Sequence, residues 1–352
     1  MEIGLLLNSD SRLFPDYCDK FREILERNSI PFRLIDPNSG SFLKDLKECS
    51  HLIFRHSQGD TDILLYEAAF NIAKNVFHIK CSPDYETFWQ YENKVKEYYL
   101  LKSYEFPVVD SNIFWNYTPA LKFLEKAQFP VVAKLKKGAG SSNVVIINSL
   151  SDGKKIVDQV FKKGVKPGKL KNKTNLSSLS KVGVFKFWYE QIKSQLIKLE
   201  ILGERDEYPE WQIQRDSIIF QKYLPGNKFD TRVTIIGKRA FAFRRYVRSN
   251  DFRASGSGNF DLDNHNIDTR CVEIAFSISK KLNFETMAYD FIYDENKDPF
   301  ICEISYCFTD WIVKNCPGYW DESLNWHAGH NWPQYYQLVD FLQKNDLVSV
   351  SI

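Results

Sequence analysis

Ala288-Tyr289-Asp290-Phe291-Ile292-Tyr293 and, after the polar turn Asp294 to Asp298, Pro299-Phe300-Ile301-Cys302-Glu303-Ile304-Ser305 form the stretch whose reading decides the fold. Both runs are rich in β-branched and aromatic residues and predict neighbouring antiparallel strands, Thr286 to Tyr293 and Pro299 to Ser305. One acid interrupts each. Asp290 and Glu303, desolvated side by side, would repel one another, and a divalent cation is the natural neutraliser; hard oxygen ligands select Mg²⁺. The plain alternative is two separate, partly exposed acids.

Upstream, further antiparallel strands are expected at Ile218 to Tyr223, Thr231 to Ile236 and Arg239 to Val247. One helix, Thr269 to Leu282, lies among them, and a C-terminal helix runs Gln334 to Lys344. Within Phe220 to Arg232 an apolar segment ends in the turn Pro225-Gly226. Backbone groups around Lys222, Tyr223 and Leu224 suit an adenine edge. Asp230 and Arg232 stand two apart on one strand, so both side chains point to one face. An exposed cross-strand ion pair is the ordinary alternative. Next comes a run of arginines, Arg239, Arg244, Arg245, Arg248 and Arg253. Their planar forks suit carboxylate and phosphate oxygens.

Further back, Phe129 to Lys134 and Asn143 to Ile147 are β-rich and flank Lys136-Lys137-Gly138-Ala139-Gly140-Ser141-Ser142, a tight connection of small residues. Lys134 and the backbone of Gly138, Gly140, Ser141 and Ser142 can approach oxyanions closely. A plain hairpin with a solvated lysine is the alternative. Residues 162–181 have loop composition, and a helix is expected over Val184 to Leu199; together they read as an insertion.

Residues 1 to about 90 alternate strand and helix in a small α/β lobe: a strand to Leu7, a helix Tyr17 to Arg27, a strand Phe32 to Ile35, a helix near Leu43 to Glu48 and a strand Leu52 to Phe54. A helix-rich stretch, Thr87 to Leu101, and a strand, Phe106 to Asp110, follow. His51, Arg55 and His56 come just after a strand, where ligands often meet α/β sheets; capping of local structure is the equal alternative for each. His327 and His330, flanked by Trp326 and Trp332, lack a third ligand nearby and read as surface residues.

The 352 residues exceed a single small core, and 43% hydrophobic with 26% charged residues indicates a folded globular chain. A net charge of +2 argues against a nucleic-acid surface. Seven cysteines without a Cys-x-x-Cys pair fit reduced thiols in a cytoplasmic protein. The N-terminal apolar run is too short for a signal peptide, and no run is long enough to span a bilayer. There is no G-x-x-x-x-G-K-[ST] and no G-x-G-x-x-G, so another phosphate cradle is required.

Taken in order, these segments resemble the ATP-grasp superfamily, particularly its ribosomal-protein glutamate ligases and, more distantly, D-alanine:D-alanine ligases and glutathione synthetases. Asn93-Lys94 before a helix is similar to the family's first nucleotide-contacting lysine. Pro130 to Lys134 with Gly138 to Ser142 resembles the second lysine and its phosphate-covering loop, and Gln221 to Leu224 the adenine hinge. Phe229 to Gly237 resembles the Asp-x-Arg strand, and Asp251-Phe252-Arg253 the Phe-Arg segment beside the transferred phosphoryl group.

The resemblance implies an ATP-grasp α+β fold, two antiparallel-sheet lobes clasping ATP behind a small N-terminal α/β lobe. The expected divisions are 1–90, 91–215 with an insertion at about 160–215, and 216–352. It implies ATP and Mg²⁺ as cofactors. Lys94, Lys134, Gly138, Gly140, Ser141, Ser142, Gln221, Lys222, Tyr223, Leu224 and Asp230 would hold the nucleotide; Asp290, Glu303 and Ser305 the metal; Arg232 and Arg253 would act in catalysis. Ser305 stands where the family often has Asn, a hydroxyl in place of an amide ligand.

The implied reaction is ATP-dependent joining of a carboxylate to an amine through an acyl phosphate. Its substrates would be an amino acid, a peptide or a sugar acid, with no nucleic-acid or membrane partner and a homodimer left open. The rival readings are a degenerate ATP-binding regulatory module and a kinase acting on a hydroxyl.

Overall fold

A computed structural model describes residues 2–9, 16–138, 143–166, 170, 213–248, 253–254 and 258–350. The chain divides into two units, residues 1–112, 136–141 and 221–352 in the larger and 113–135 and 142–220 in the smaller.

In the larger unit the alternating N-terminal pattern builds a parallel sheet. β1 (Ile3–Leu6) lies between β2 (Phe32–Ile35) and β3 (His51–Ile53), and β4 (Lys80–Ser82) pairs with β3. The connections are α1 (Asp16–Arg27), α2 (Phe42–Lys47) and α3 (Asp60–Asn75). All four β1 residues are buried, as both faces of such a sheet are covered. Ile3 and Leu5 pack with Phe21, Ile24 and Leu25 of α1, while Leu6 joins Leu46, Tyr66 and Phe70 on the other side.

The expected helical stretch from Thr87 splits into α4 (Tyr85–Phe88) and α5 (Lys94–Ser103), because Glu92 takes a left-handed backbone (φ 53°). Asn93 then caps α5, its side chain accepting the Val95 and Lys96 N–H groups at 3.2 Å. The strand expected over Phe106 to Asp110 is reduced to a bridge between Val108 and Ile301, and β5 occupies Ser111–Phe114. Pro107 has no N–H and serves only as an acceptor, for Ile301 at 2.7 Å.

In the smaller unit α6 (Tyr117–Leu124), β6 (Val131–Lys134), β7 (Val144–Ile147), α7 (Leu150–Asp158) and β8 (Ile218–Lys222) follow, with sheet order β5-β8-β6-β7. β6 and β7 pair antiparallel from Val131 opposite Ile147 to Lys134 opposite Val144, the hairpin expected from the sequence. A π-helical turn, Gln159–Lys163, extends α7. Ala120, Leu124, Ala133, Ile147, Ile156, Val157 and Phe220 form its core. The helix expected over Val184 to Leu199 lies outside the described residues.

The larger unit's second sheet follows: β9 (Phe229–Ile236), β10 (Arg239–Tyr246), β11 (Phe260–Asp261), α8 (Thr269–Leu282), β12 (Thr286–Tyr293), β13 (Pro299–Ser305), α9 (Asp310–Asn315), β14 (Gly318–Trp320), β15 (Trp326–Ala328) and α10 (Pro333–Leu342). Strand order is β13-β12-β9-β10-β14-β15, with β11 on β10, antiparallel throughout. Val233, Ile235, Tyr289, Phe291, Ile301 and Ile304 cover α8 through Cys271, Val272, Ala275 and Ile278, and the same cluster reaches Leu52, Phe54 and Tyr66 of the parallel sheet. On the opposite face Ile236, Phe241, Phe243 and Ala288 pack against Ile312 and Val313 of α9. Asp230, Arg232, Arg245, Asp290 and Glu303 share that face.

Candidate active site

Register sets out the charged row. Asp230 of β9 lies opposite Arg245 of β10, Arg232 of β9 opposite Asp290 of β12, and Asp290 opposite Glu303 of β13. Strict alternation along β13 would put Ile301 and Glu303 on one face. A bulge prevents this: Asp290 pairs with Glu303 but Phe291 with Ile301, leaving Cys302 as the extra residue. Ile301 therefore enters the core and Glu303 joins the acid row.

The ion pairs are bidentate. Arg232 donates from Nε and Nη2 to the two oxygens of Asp290 at 2.6 and 2.8 Å. Arg245 donates in the same way to Asp230 at 2.8 and 2.7 Å and reaches Asp290 Oδ2 at 2.7 Å. Asp230, Arg245 and Asp290 are all buried. Burial pushes the Asp290 carboxyl up, but the two guanidinium groups outweigh it and hold the acid well below the usual carboxylate range. Asp230 and Arg232 share a face as expected, yet each is paired across the sheet, and Arg245 ties the two pairs together.

Lys94, aimed by the Asn93 cap at the start of α5, places Nζ 2.9 Å from Glu303 Oε1 and donates to the Gly138 carbonyl at 2.9 Å. Burial works against its charge, but Glu303 and Glu97 outweigh burial and hold its pKa above the ordinary lysine value. Glu97 on the same helix accepts the Ile304 N–H, and burial lifts its carboxyl to about 8. The row thus sets three acids, Asp230, Asp290 and Glu303, against three basic side chains, Lys94, Arg232 and Arg245.

The oxygen donors suit Mg²⁺ in kind. The Glu303 side chain is 34% exposed, and its ion pair uses Oε1. Asp290 Oδ1 accepts one hydrogen bond of the two it can take. Ser305 lies on the same face, two residues beyond Glu303; its hydroxyl donates to the Cys307 carbonyl at 3.1 Å and keeps its lone pairs. Among the described residues no group of three His, Cys, Asp or Glu side chains converges, so the hydroxyl would have to serve as the third protein ligand.

Of the other expected residues, Lys134 is buried at the end of β6 in the smaller unit, and Gly138 has a backbone (φ 142°) that favours glycine. Gly140, Ser141 and Ser142 lie outside the described residues. Gln221 is buried and donates to Ser111 Oγ at 3.2 Å; the Lys222 N–H goes to the Asp110 carbonyl at 2.9 Å; the Leu224 carbonyl accepts from Asn227. Tyr223 lies between them. Arg253 is half-buried, its carbonyl accepting the Arg248 N–H, while Asp251 and Phe252 lie outside the described residues. His327 pairs with Asp321 at 2.8 Å and stacks on Tyr319, a surface role as the sequence implies. All seven cysteines are free thiols, and no helix among the described residues is long and apolar enough to cross a membrane.

Sequence reasoning placed Arg245 in the arginine run but gave it no role. Its position in the β9–β10 register is the signal, and that register becomes readable only once the hairpin at Gly237 is fixed.

No family model matches the chain, and no curated protein matches it by sequence. Among solved structures, D-cycloserine synthetase DcsG superposes with a TM-score of 0.57 at 12% identity, over 97% of this chain and 99% of its own. The RimK domain protein ATP-grasp from Sphaerobacter thermophilus gives 0.52 at 10% identity over 97% and 99%. D-alanine–D-alanine ligase from Bacillus anthracis gives 0.52 at 12% identity over 87% and 86%.

Proposed function

From the premise that the chain has the ATP-grasp fold, we propose that it is an ATP-dependent ligase joining a carboxylate to an amine. The observation that carries this reading is the buried row Arg245–Asp230 and Arg232–Asp290–Glu303–Lys94 on one face of four adjacent strands. Such a row gathers cations for an anion and oxygen donors for a metal on one surface, the groups phosphoryl transfer requires. Solved relatives carry printed names of ligases and synthetases, which supports the same reading.

A carboxylate oxygen is a poor leaving group, so ATP first phosphorylates the acid and the amine then displaces phosphate. Asp290, Glu303 and Ser305 would hold Mg²⁺, which when bound supplies charge neutralisation to the phosphates. Arg232, which here is bidentate on Asp290, would serve the transferring group, and Asp290 would be among the acids holding the metal. Arg245 stays with Asp230 and keeps Asp290 ionised. Lys94 serves the nucleotide's phosphates, and by resemblance so do Lys134 and the Gly138 to Ser142 loop, with Gln221 to Leu224 at the base and Arg253 at the transferred group. Small-molecule or peptide substrates fit a neutral overall charge.

Release of ADP and phosphate by the purified chain, dependent on both an acid and an amine, is the test. Glu303→Gln removes the metal-facing charge and is expected to lower that rate by about 10²–10³-fold with the folded circular-dichroism spectrum retained. A rate equal to the parent's would remove Glu303 from the machinery. ATP binding without acid- and amine-dependent turnover would favour a regulatory nucleotide-binding module, and phosphate retained on an alcohol product a kinase.

A further inference from the structure

The ligase chemistry needs an organic acid held near the row, and among the described residues Arg55 of the larger unit is a cation with no carboxylate partner. Arg55 follows β3 at the carboxyl edge of the parallel sheet. Its guanidinium carbon lies 3.5 Å from the centroid of the Tyr17 ring and 5.5 Å from that of Phe308, and Nη2 donates to the Phe308 carbonyl. Among the described residues this is its single hydrogen bond, and no carboxylate lies within ion-pairing distance. Every other buried or half-buried arginine of the row has an acid; Arg55 has rings.

Among the described residues a nearby carboxylate, Asp310, acts on the Tyr17 hydroxyl without an ion pair to Arg55. His56 is buried with its hydroxyl partner Tyr306, and burial, aided by Arg55, pushes its pKa down to about 3, so it is neutral. Burial also pushes Tyr17, Tyr306 and Cys307 up, so all three keep their protons. Arg55 is half-buried, with two π faces beside its guanidinium and no ion pair among the described residues. The unused edge of the fork matches a planar carboxylate in bidentate fashion.

Arg55 also lies within reach of the proposed chemistry. Phe308, whose carbonyl it grips, is five residues beyond Glu303, so their Cα atoms stand no more than about 18 Å apart even if the segment were fully extended. Ser305 bonding to Cys307 shortens that path. A small acid or short peptide spans such a distance.

We propose that Arg55 anchors the carboxylate of an amino acid or peptide substrate. The assignment rests on the ligase reading for its purpose but not for its test. The Tyr17 and Phe308 rings beside the guanidinium favour a planar monoanion over the heavily hydrated phosphate dianion.

The test is calorimetry and thermal shift on the full chain, comparing the parent with Arg55→Gln and Arg55→Lys. The probes are acetate, succinate, a pool of free amino acids, the same amino acids as carboxamides, and inorganic phosphate, with ATP and Mg²⁺ titrated in parallel. Carboxylate probes are expected to bind the parent, carboxamides not, and Arg55→Gln to weaken carboxylate binding at least about tenfold while leaving ATP affinity within about twofold. Should Arg55→Gln not fold, Arg55→Lys carries the comparison: it keeps a charge without the fork and is expected to bind carboxylates more weakly than the parent. Equal responses of parent and variant, equal binding of acids and amides, a response to phosphate alone, or no response to any carboxylate overturns the proposal. Absence of ATP binding in the parent would sink the ligase reading and leave the carboxylate result standing.

Discussion

Arg245 is the residue on which the charged row depends, because one guanidinium serves two buried acids, Asp230 and Asp290. Removing one partner of a buried ion pair leaves uncompensated charge, so Arg245→Met is expected to cost about 3–5 kcal/mol, read as a lower denaturant midpoint; a change below about 1 kcal/mol would place the pair in solvent-like surroundings. A second single-residue effect follows from His56, which the folded chain keeps neutral with a pKa near 3 against an ordinary 6.5. The unfolded chain takes up a proton between those values and the folded chain does not. Its contribution to stability is therefore complete above pH 6.5 and is lost as pH falls toward 3, by at most about 1.4 kcal/mol per pH unit. His56→Gln should flatten the stability–pH curve in that window, and an unchanged slope would contradict a neutral imidazole. Of these residues the sequence disclosed identity and rough place, Arg232 and Asp290 as carriers of chemistry and His56 at a strand end. Their pairing was not legible, since partners 58 residues apart are chosen by sheet register.

Elements show the same division between local and non-local information. The strands of the second sheet were readable because their apolar runs are long and bounded by turns: β9, β10, β12 and β13 lie within a residue or two of expectation. The bulge at Cys302 was not, for nothing in Ile301-Cys302-Glu303 departs from an ordinary strand; the need to bury Ile301 while presenting Glu303 beside Asp290 creates it. α3 also escaped notice, its apolar residues being spread around the helix rather than confined to one stripe, as exposed Leu64 beside buried Tyr66 illustrates. The three-residue strands β14 and β15 were too short to show a period. That hairpin nonetheless makes a sharp demand: Gly318 stands opposite Ala328, and a Cβ there would strike the backbone carbonyl of His327 and the Trp326 ring. Since backbone cannot move aside as a side-chain tip can, Gly318→Ala is expected to destabilise the chain by about 1–3 kcal/mol and to separate Trp326 from Trp320, now 4.4 Å apart between ring centroids. Unaltered tryptophan fluorescence together with an unaltered melting temperature would refute that steric account.

For the molecule as a whole, the consequence of the row lies in its charge balance. Asp230, Asp290 and Glu303 face Lys94, Arg232 and Arg245, and burial holds Glu97 largely protonated at neutral pH. Acids already paired with cations offer a bare divalent cation little electrostatic reward for giving up its water, and Mg²⁺ dehydrates reluctantly. On the proposed reading a nucleotide's phosphates would alter the balance, drawing off Arg232 and Lys94 and leaving Asp290 and Glu303 with unbalanced charge for a metal. Metal and nucleotide should therefore bind as one thermodynamic event. Mg²⁺ alone is expected to leave the melting temperature unchanged and ATP with chelator to raise it slightly. The two together, at about 100 times their joint dissociation constant, should stabilise the chain by about 2.7 kcal/mol. The synergy belongs to the acids, so Asp290→Asn should abolish the difference between ATP with and without Mg²⁺ while sparing part of the response to ATP alone. Were Mg²⁺ by itself to stabilise the parent as much as the pair does, the row would hold net negative charge before any nucleotide arrives, and the coupling between cation and phosphate derived from its pairing would be wrong.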